Sequence, residues 1–142
     1  MKKYRIFIGI LLAVWGLASC GKDNNFPSTP DLKFQSIYFD KDSNRVVITC
    51  SFKDKEGDIQ GTIWFKTYQI TPGGTNEGVF GQYPVPDFPS QNNMEGDIIL
   101  ILKQIDFTGV SPGDSLYFDL YLKDKAEHVS DTVRTDTVMV KG

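Results

Sequence analysis

Five carboxylates, in two short stretches, are the first residues that could do chemistry. Asp54, Glu56 and Asp58 alternate within Asp54-Lys55-Glu56-Gly57-Asp58, and Asp124 and Glu127 stand in Asp124-Lys125-Ala126-Glu127-His128. Alternating acids in a turn that Gly57 lets bend offer hard oxygen donors of the kind Ca²⁺ takes, mixed with backbone carbonyls. The spacing is not that of an EF-hand loop. The plainer reading is a solvated acidic turn, with Lys53, Lys55, Lys123 and Lys125 as counterions. Four aromatics form the second set. Trp64 and Tyr68, and again Tyr117 and Tyr121, are four residues apart within alternating segments, so each pair shares one strand face. Four rings on one sheet face would make a flat patch for stacking on sugars or binding protein. The alternative is that this face adds to the core, or that residues 71–96 cover it with Phe80, Tyr83 and Phe88.

Catalytic readings fare worse. His128 stands beside Ser130 and Asp131. A Ser-His-Asp triad needs its groups to converge on a cleft with an oxyanion hole, and three residues of one turn do not converge that way. Paired carboxylates can hydrolyse glycosides, but any acidic β-protein offers such pairs. There is no phosphate loop, metalloprotease helix or nucleotide fingerprint. One His and two Cys give no ligand set for a protein zinc site. A net charge of −3 leaves no basic footprint for nucleic acid. No enzyme is expected.

The elements that must position these residues read as strands. The chain has 142 residues, 40% hydrophobic, which suits one domain. Residues 34–39 are aromatic and β-branched in part and end at the turn cluster Asp40-Lys41-Asp42-Ser43-Asn44. In 45–53, Val46, Ile48, Cys50 and Phe52 alternate with Val47, Thr49, Ser51 and Lys53, which is a half-buried strand. Cys50 lies on the apolar face and reads as inert core. Residues 62–70 form a third strand. Residues 97–105 are apolar on both faces and are expected to be central. Residues 115–123 turn Leu116, Phe118, Leu120 and Leu122 inward, and 131–140 close with a Thr/Val-rich strand. Residues 71–96 hold Gly73-Gly74, Pro84, Pro86 and Pro89; a short edge strand near 79–83 is expected there. No stretch after residue 20 has a helical period with capping signals.

The N-terminus carries the most specific motif. Lys2, Lys3 and Arg5 precede an apolar run from Ile6 to Leu17, followed by Leu17-Ala18-Ser19-Cys20. The run is shorter than the ~20 residues a spanning helix needs. Leu, two small residues and Cys resemble the lipobox of bacterial lipoproteins. The resemblance implies that 1–19 is a signal peptide, removed, and that Cys20 is lipidated with diacylglyceryl and palmitate-type chains. Removing 1–19 leaves 12 Lys+Arg against 18 Asp+Glu, a net of −6. Multiple acyl chains hold firmly where one is marginal, so the membrane is reached through lipid at the N-terminus. Gly21, where enteric inner-membrane lipoproteins carry Asp, points to the outer membrane. With Cys20 lipidated, Cys50 has no disulfide partner. Residues 20–33, with two prolines, read as lipidated Cys and flexible tether.

Six to seven antiparallel strands without helices predict an all-β sandwich over 34–142, of immunoglobulin or fibronectin III type. In that labelling A is 34–39, B 45–53, C 62–70, E 97–105, F 115–123 and G 131–140, with D within 71–96. Cys50 on B and Trp64 on C match half of the antibody-domain core signature; the second Cys is missing. The lipobox, the 54–58 turn, Pro84 to Pro89, and Asp114-Ser115-Leu116-Tyr117-Phe118-Asp119 running into Asp124-Lys125 resemble small cell-envelope lipoproteins of Bacteroidetes-type bacteria with one Ig-like domain of unassigned function. That resemblance implies an envelope lipoprotein and brings no catalytic residues. The topology places the B–C and F–G loops at one end, gathering Asp54, Glu56, Asp58, Asp124 and Glu127 there. The chain enters strand A at the same end. The function expected is a non-catalytic binding or adhesion module for glycan or protein; the alternative is a structural or assembly subunit docking to an envelope protein through a sheet face or edge.

Overall fold

A computed structural model describes residues 26–103, 107 and 109–142, with Val79 described by its backbone alone. The signal segment 1–19, the lipobox cysteine Cys20, the first part of the tether and the tail of the expected 97–105 strand lie outside the described residues.

The chain folds as a β-sandwich of two antiparallel sheets. Its strands are β1 (Asp31–Asp40), β2 (Arg45–Asp54), β3 (Thr62–Thr71), β4 (Gly74–Pro84), β5 (Met94–Lys103), β6 (Ser115–Lys123), β7 (Val133–Arg134) and β8 (Val138–Met139). One sheet has the order β1-β2-β5, the other β4-β3-β6-β7, with β8 also paired to β6. Among the described residues no helix is long and apolar enough to cross a membrane. Period-two patterning builds the core. Val46, Ile48, Cys50 and Phe52 of β2 and Ile98, Leu100 and Leu102 of β5 meet Ile63 and Phe65 of β3 and Leu116, Phe118, Leu120 and Leu122 of β6, all buried. Each such aliphatic side chain contributes about 1.5–3 kcal/mol through burial.

Four expectations need correction. The first strand begins at Asp31, so Leu32 enters the core and Pro30 is fully buried. The Pro27 carbonyl accepts the Lys55 N–H at 2.9 Å. Residues 31–33 therefore belong to the sandwich, and Pro27 is tied to it, rather than forming part of a tether. Second, the strand within 71–96 is β4. It forms a hairpin with β3, from Thr62↔Pro84 to Thr71↔Gly74, and joins the sheet of strands C and F. That is the four-strand arrangement of fibronectin III domains; a D strand would sit in the other sheet. Third, β5 is an edge. Its outward Ile99 and Ile101 remain 54% and 40% exposed, so apolarity on both faces did not mean central placement. Fourth, the 131–140 strand breaks into β7 and β8. Polar side chains take over ladder positions on β6: Ser130 Oγ accepts the Leu122 N–H at 2.9 Å, and Thr135 Oγ1 accepts the Phe118 N–H at 3.0 Å.

Candidate functional site

The outer face of the four-stranded sheet carries the aromatics. Trp64 lies directly across from Tyr121, Lys66 from Asp119, and Tyr68 from Tyr117. Alternation therefore sets a charged row between two aromatic rows, because all six side chains point away from the core. β4 adds Phe80 opposite Lys66, and β7 adds Arg134 opposite Asp119. Trp64 and Tyr121 are near-parallel, with centroids 6.2 Å apart. Tyr68 and Tyr117 stack at 4.7 Å and 3°. Phe80, 55% exposed, stands edge-on to Tyr121 at 6.4 Å. The structure thus brings together the four aromatics that the sequence singled out, each partly exposed.

Cations flank these rings. The Arg134 guanidinium lies 5.0 Å from the Tyr117 centroid and 5.5 Å from that of Tyr68, and it holds Asp119 by two bonds of 2.7 and 2.8 Å. Arg134 keeps the Asp119 carboxyl below the usual carboxylate range, against a smaller opposing effect of burial. Lys66 Nζ stands 5.1 Å from Tyr68 and 5.8 Å from Phe80, and pairs with Glu77 at 2.6 Å. That pairing raises the lysine above its ordinary value.

Two features depart from the flat sugar platform and from the alternative that residues 71–96 cover it. Parallel rings at 4.7 Å cannot be coplanar, so Tyr68 and Tyr117 stand up from the sheet and cover one another's faces. The segment expected as a lid is instead the fourth strand. Its Phe80 widens the patch, while Tyr83 and Phe88 pack against the core. Gly81 explains how β4 fits: it pairs with Phe65, whose ring lies where a side chain at 81 would be, within 2.2 Å of a Cβ there. Sequence reading missed Lys66, Glu77 and Arg134 as members of the face. The signal for Lys66 was present, since it falls between Trp64 and Tyr68 at period two as Asp119 does between Tyr117 and Tyr121; that for Arg134 lay only in the pairing of a two-residue strand.

The second cluster sits at the end of the sandwich where the described chain begins. Asp54 closes β2 and is fully buried. Its Oδ2 accepts the N–H groups of Gly57 at 2.5 Å and Asp58 at 3.2 Å. Gly57 makes that turn possible: its φ is +66°, and a Cβ would fall 1.9 Å from the Gln91 carbonyl oxygen. Burial pushes the Asp54 carboxyl above its usual range, and the neighbouring Asp58 and Glu56 charges add to this against the two backbone bonds. Asp124, 4% exposed, follows β6 and accepts the His128 N–H at 2.8 Å. One oxygen from each of Asp54, Asp58 and Asp124 lies within 4.8 Å of the others. Glu56 is exposed and is not part of this group, and Glu127 is drawn to Lys123 at 2.9 Å. His128 Nδ1 is 3.1 Å from Asp124 Oδ2, while the Ser130 hydroxyl donates to the Asp131 carbonyl at 2.9 Å.

No family model matches the chain, and no curated protein does either. Solved structures that the chain matches include a β-glucosidase from Listeria innocua in complex with glucose, 16% identical at a TM-score of 0.39 over 79% of this chain. A β-glucosidase from Kluyveromyces marxianus in complex with glucose is 11% identical, with a TM-score of 0.36 over 81% of this chain. The match spans 16% of the first enzyme and 15% of the second. Similarity at this level says nothing about activity.

Proposed function

We propose that this chain is a lipid-anchored lipoprotein of the cell envelope, placed on the outer membrane through Cys20, whose sandwich is a non-catalytic binding module. Its ligand is a protein surface held against the outer face of the four-stranded sheet. The observation that carries this reading is the partly exposed arrangement of Trp64, Tyr121, Tyr68 and Tyr117, with exposed Phe80, around Lys66 and Arg134. Trp, Tyr and Arg dominate the energetics of protein interfaces, because they add large, stiff, amphipathic area at modest entropy cost. Mutually stacked rings favour a protein over a glycan, since a sugar needs a free ring face.

A second reading rests on a separate observation. Tyr38, Ile99 and Ile101 are exposed on the outer face of the three-stranded sheet, aligned through Tyr38↔Val47 and Val47↔Ile101. An assembly subunit would dock through that side, next to the open edge of β5.

Site-specific photocrosslinking in cells separates the two. A photoreactive residue at position 80 is expected to give one discrete protein adduct that Trp64→Ala removes, with none from position 99. An adduct from position 99 alone supports the assembly reading. Silence at both positions, or retention of glycans on an array that depends on Trp64, overturns the first. The anchor is checked by palmitate labelling, expected to disappear in Cys20→Ser.

A further inference from the structure

The acidic cluster at the end of the sandwich where the described chain begins has two oxygens that nothing in the fold accounts for. Asp54 Oδ1 and Asp58 Oδ1 are both buried atoms without a hydrogen-bond partner among the described residues. Asp54 uses only its other oxygen to hold the turn. A buried carboxylate oxygen without a donor or cation is costly, and a second and third carboxylate alongside raise that cost. Three of the four nearby lysines are engaged elsewhere, Lys53 with Glu95, Lys123 with Glu127 and Lys125 with Asp87, and among the described residues Lys55 forms no ion pair with these carboxylates. His128 faces Asp124 from its own turn.

The distances admit calcium. Calcium binds oxygen at about 2.3–2.6 Å, so two of its ligand atoms lie at most about 5 Å apart. The three carboxylate oxygens, all within 4.8 Å of one another, fall inside that limit. Magnesium demands near-ideal octahedral geometry and dehydrates reluctantly, so a cluster of three protein carboxylates suits the more flexible shell of calcium. The donors are hard oxygens, which excludes the thiolate and imidazole sets that select zinc.

We propose that Asp54, Asp58 and Asp124 form a Ca²⁺ site that ties the β2–β3 turn to the end of β6. These two segments already touch through the Lys125 N–H, which donates to the Asp58 carbonyl at 3.0 Å. The β2–β3 turn also receives the incoming chain at Pro27. The ion therefore stiffens the end of the sandwich from which the N-terminal segment leaves. Waters and backbone carbonyls complete its shell. Modules working outside the cell typically bind calcium at about 10⁻⁴–10⁻³ M, and the same range is expected here.

The test is a thermal melt and a calorimetric titration on the full lipidated chain in detergent. Calcium at about ten times its Kd is expected to raise Tm by about 5 °C over EDTA, with one ion per chain. Magnesium should give less than half that shift. Asp58→Asn is the discriminating variant, because Asp58 Oδ1 has no hydrogen-bond partner among the described residues. It should fold, lose the calcium shift and weaken binding at least tenfold. Glu56→Gln, outside the cluster, should keep the wild-type response. No calcium shift in the wild type, an equal response to magnesium, or an undiminished shift in Asp58→Asn each overturns the proposal. The titration on the wild type stands even if a variant misfolds, and a heat signal of zero there overturns it as well.

Discussion

Cys50 and Asp119 show how one position sets the behaviour of a side chain. Cys50 is fully buried between the sheets, and burial pushes its thiol up to about 12. The thiolate is the reactive form, so folding silences it. In a Cys20→Ser protein, Ellman's reagent at pH 8 should find no reactive thiol in buffer and one after guanidinium unfolding; rapid labelling in buffer would contradict the burial. Asp119 behaves oppositely. Its folded carboxyl is held below the ordinary 3.8, chiefly by Arg134. A depressed carboxylate contributes stability above its unfolded pKa and loses it as pH falls through the folded one. Asp119→Asn should therefore lower Tm across the neutral range and converge with the wild type as pH falls below about 4, so that its acid limb is flatter, as circular dichroism melts across pH would show. An unchanged acid limb would mean that the pair is only a solvated surface contact.

The strands respond to changes that single contacts do not reveal. Gly81 of β4 has no side chain because the Phe65 ring occupies that space. Gly81→Val must displace the ring or lift β4 from β3. We expect a loss of about 1–3 kcal/mol in urea unfolding, with the aromatic near-ultraviolet signal reduced. Leu100, fully buried on β5, leaves a cavity when shortened, and Leu100→Ala should cost about 2–5 kcal/mol. Ile99, its outward neighbour on the same strand, should tolerate Lys with a change within about 0.5 kcal/mol and less self-association, because a charge on an exposed edge blunts strand addition. These two adjacent positions separate core from edge on one element.

The whole molecule is held by non-local pairing: β2 pairs with β5, β3 with β6, and the last short strands return to β6. Both sheets share one core, so far-ultraviolet dichroism and Trp64 fluorescence should report one coincident urea transition. Separate midpoints would show that the two sheets come apart independently.

The sandwich was legible in the sequence because period two needs only local alternation: residues 45–53 and 115–123 state which face is inward without reference to any partner. Strand labels then sufficed to place the 54–58 turn near Asp124, since fold topology fixes which loops share an end. The tertiary structure alone decided three things. It made β5 an edge, because two-sided apolarity records composition while position depends on which strands remain to pair. It turned residues 74–84 into a wall of the aromatic face, because a glycine-rich segment has a clear register only once Phe65 fills it. It chose Asp58 over Glu56 as the third acid facing Asp54 and Asp124, because the left-handed turn at Gly57 reverses the chain between them, and alternation along a strand does not extend through such a turn.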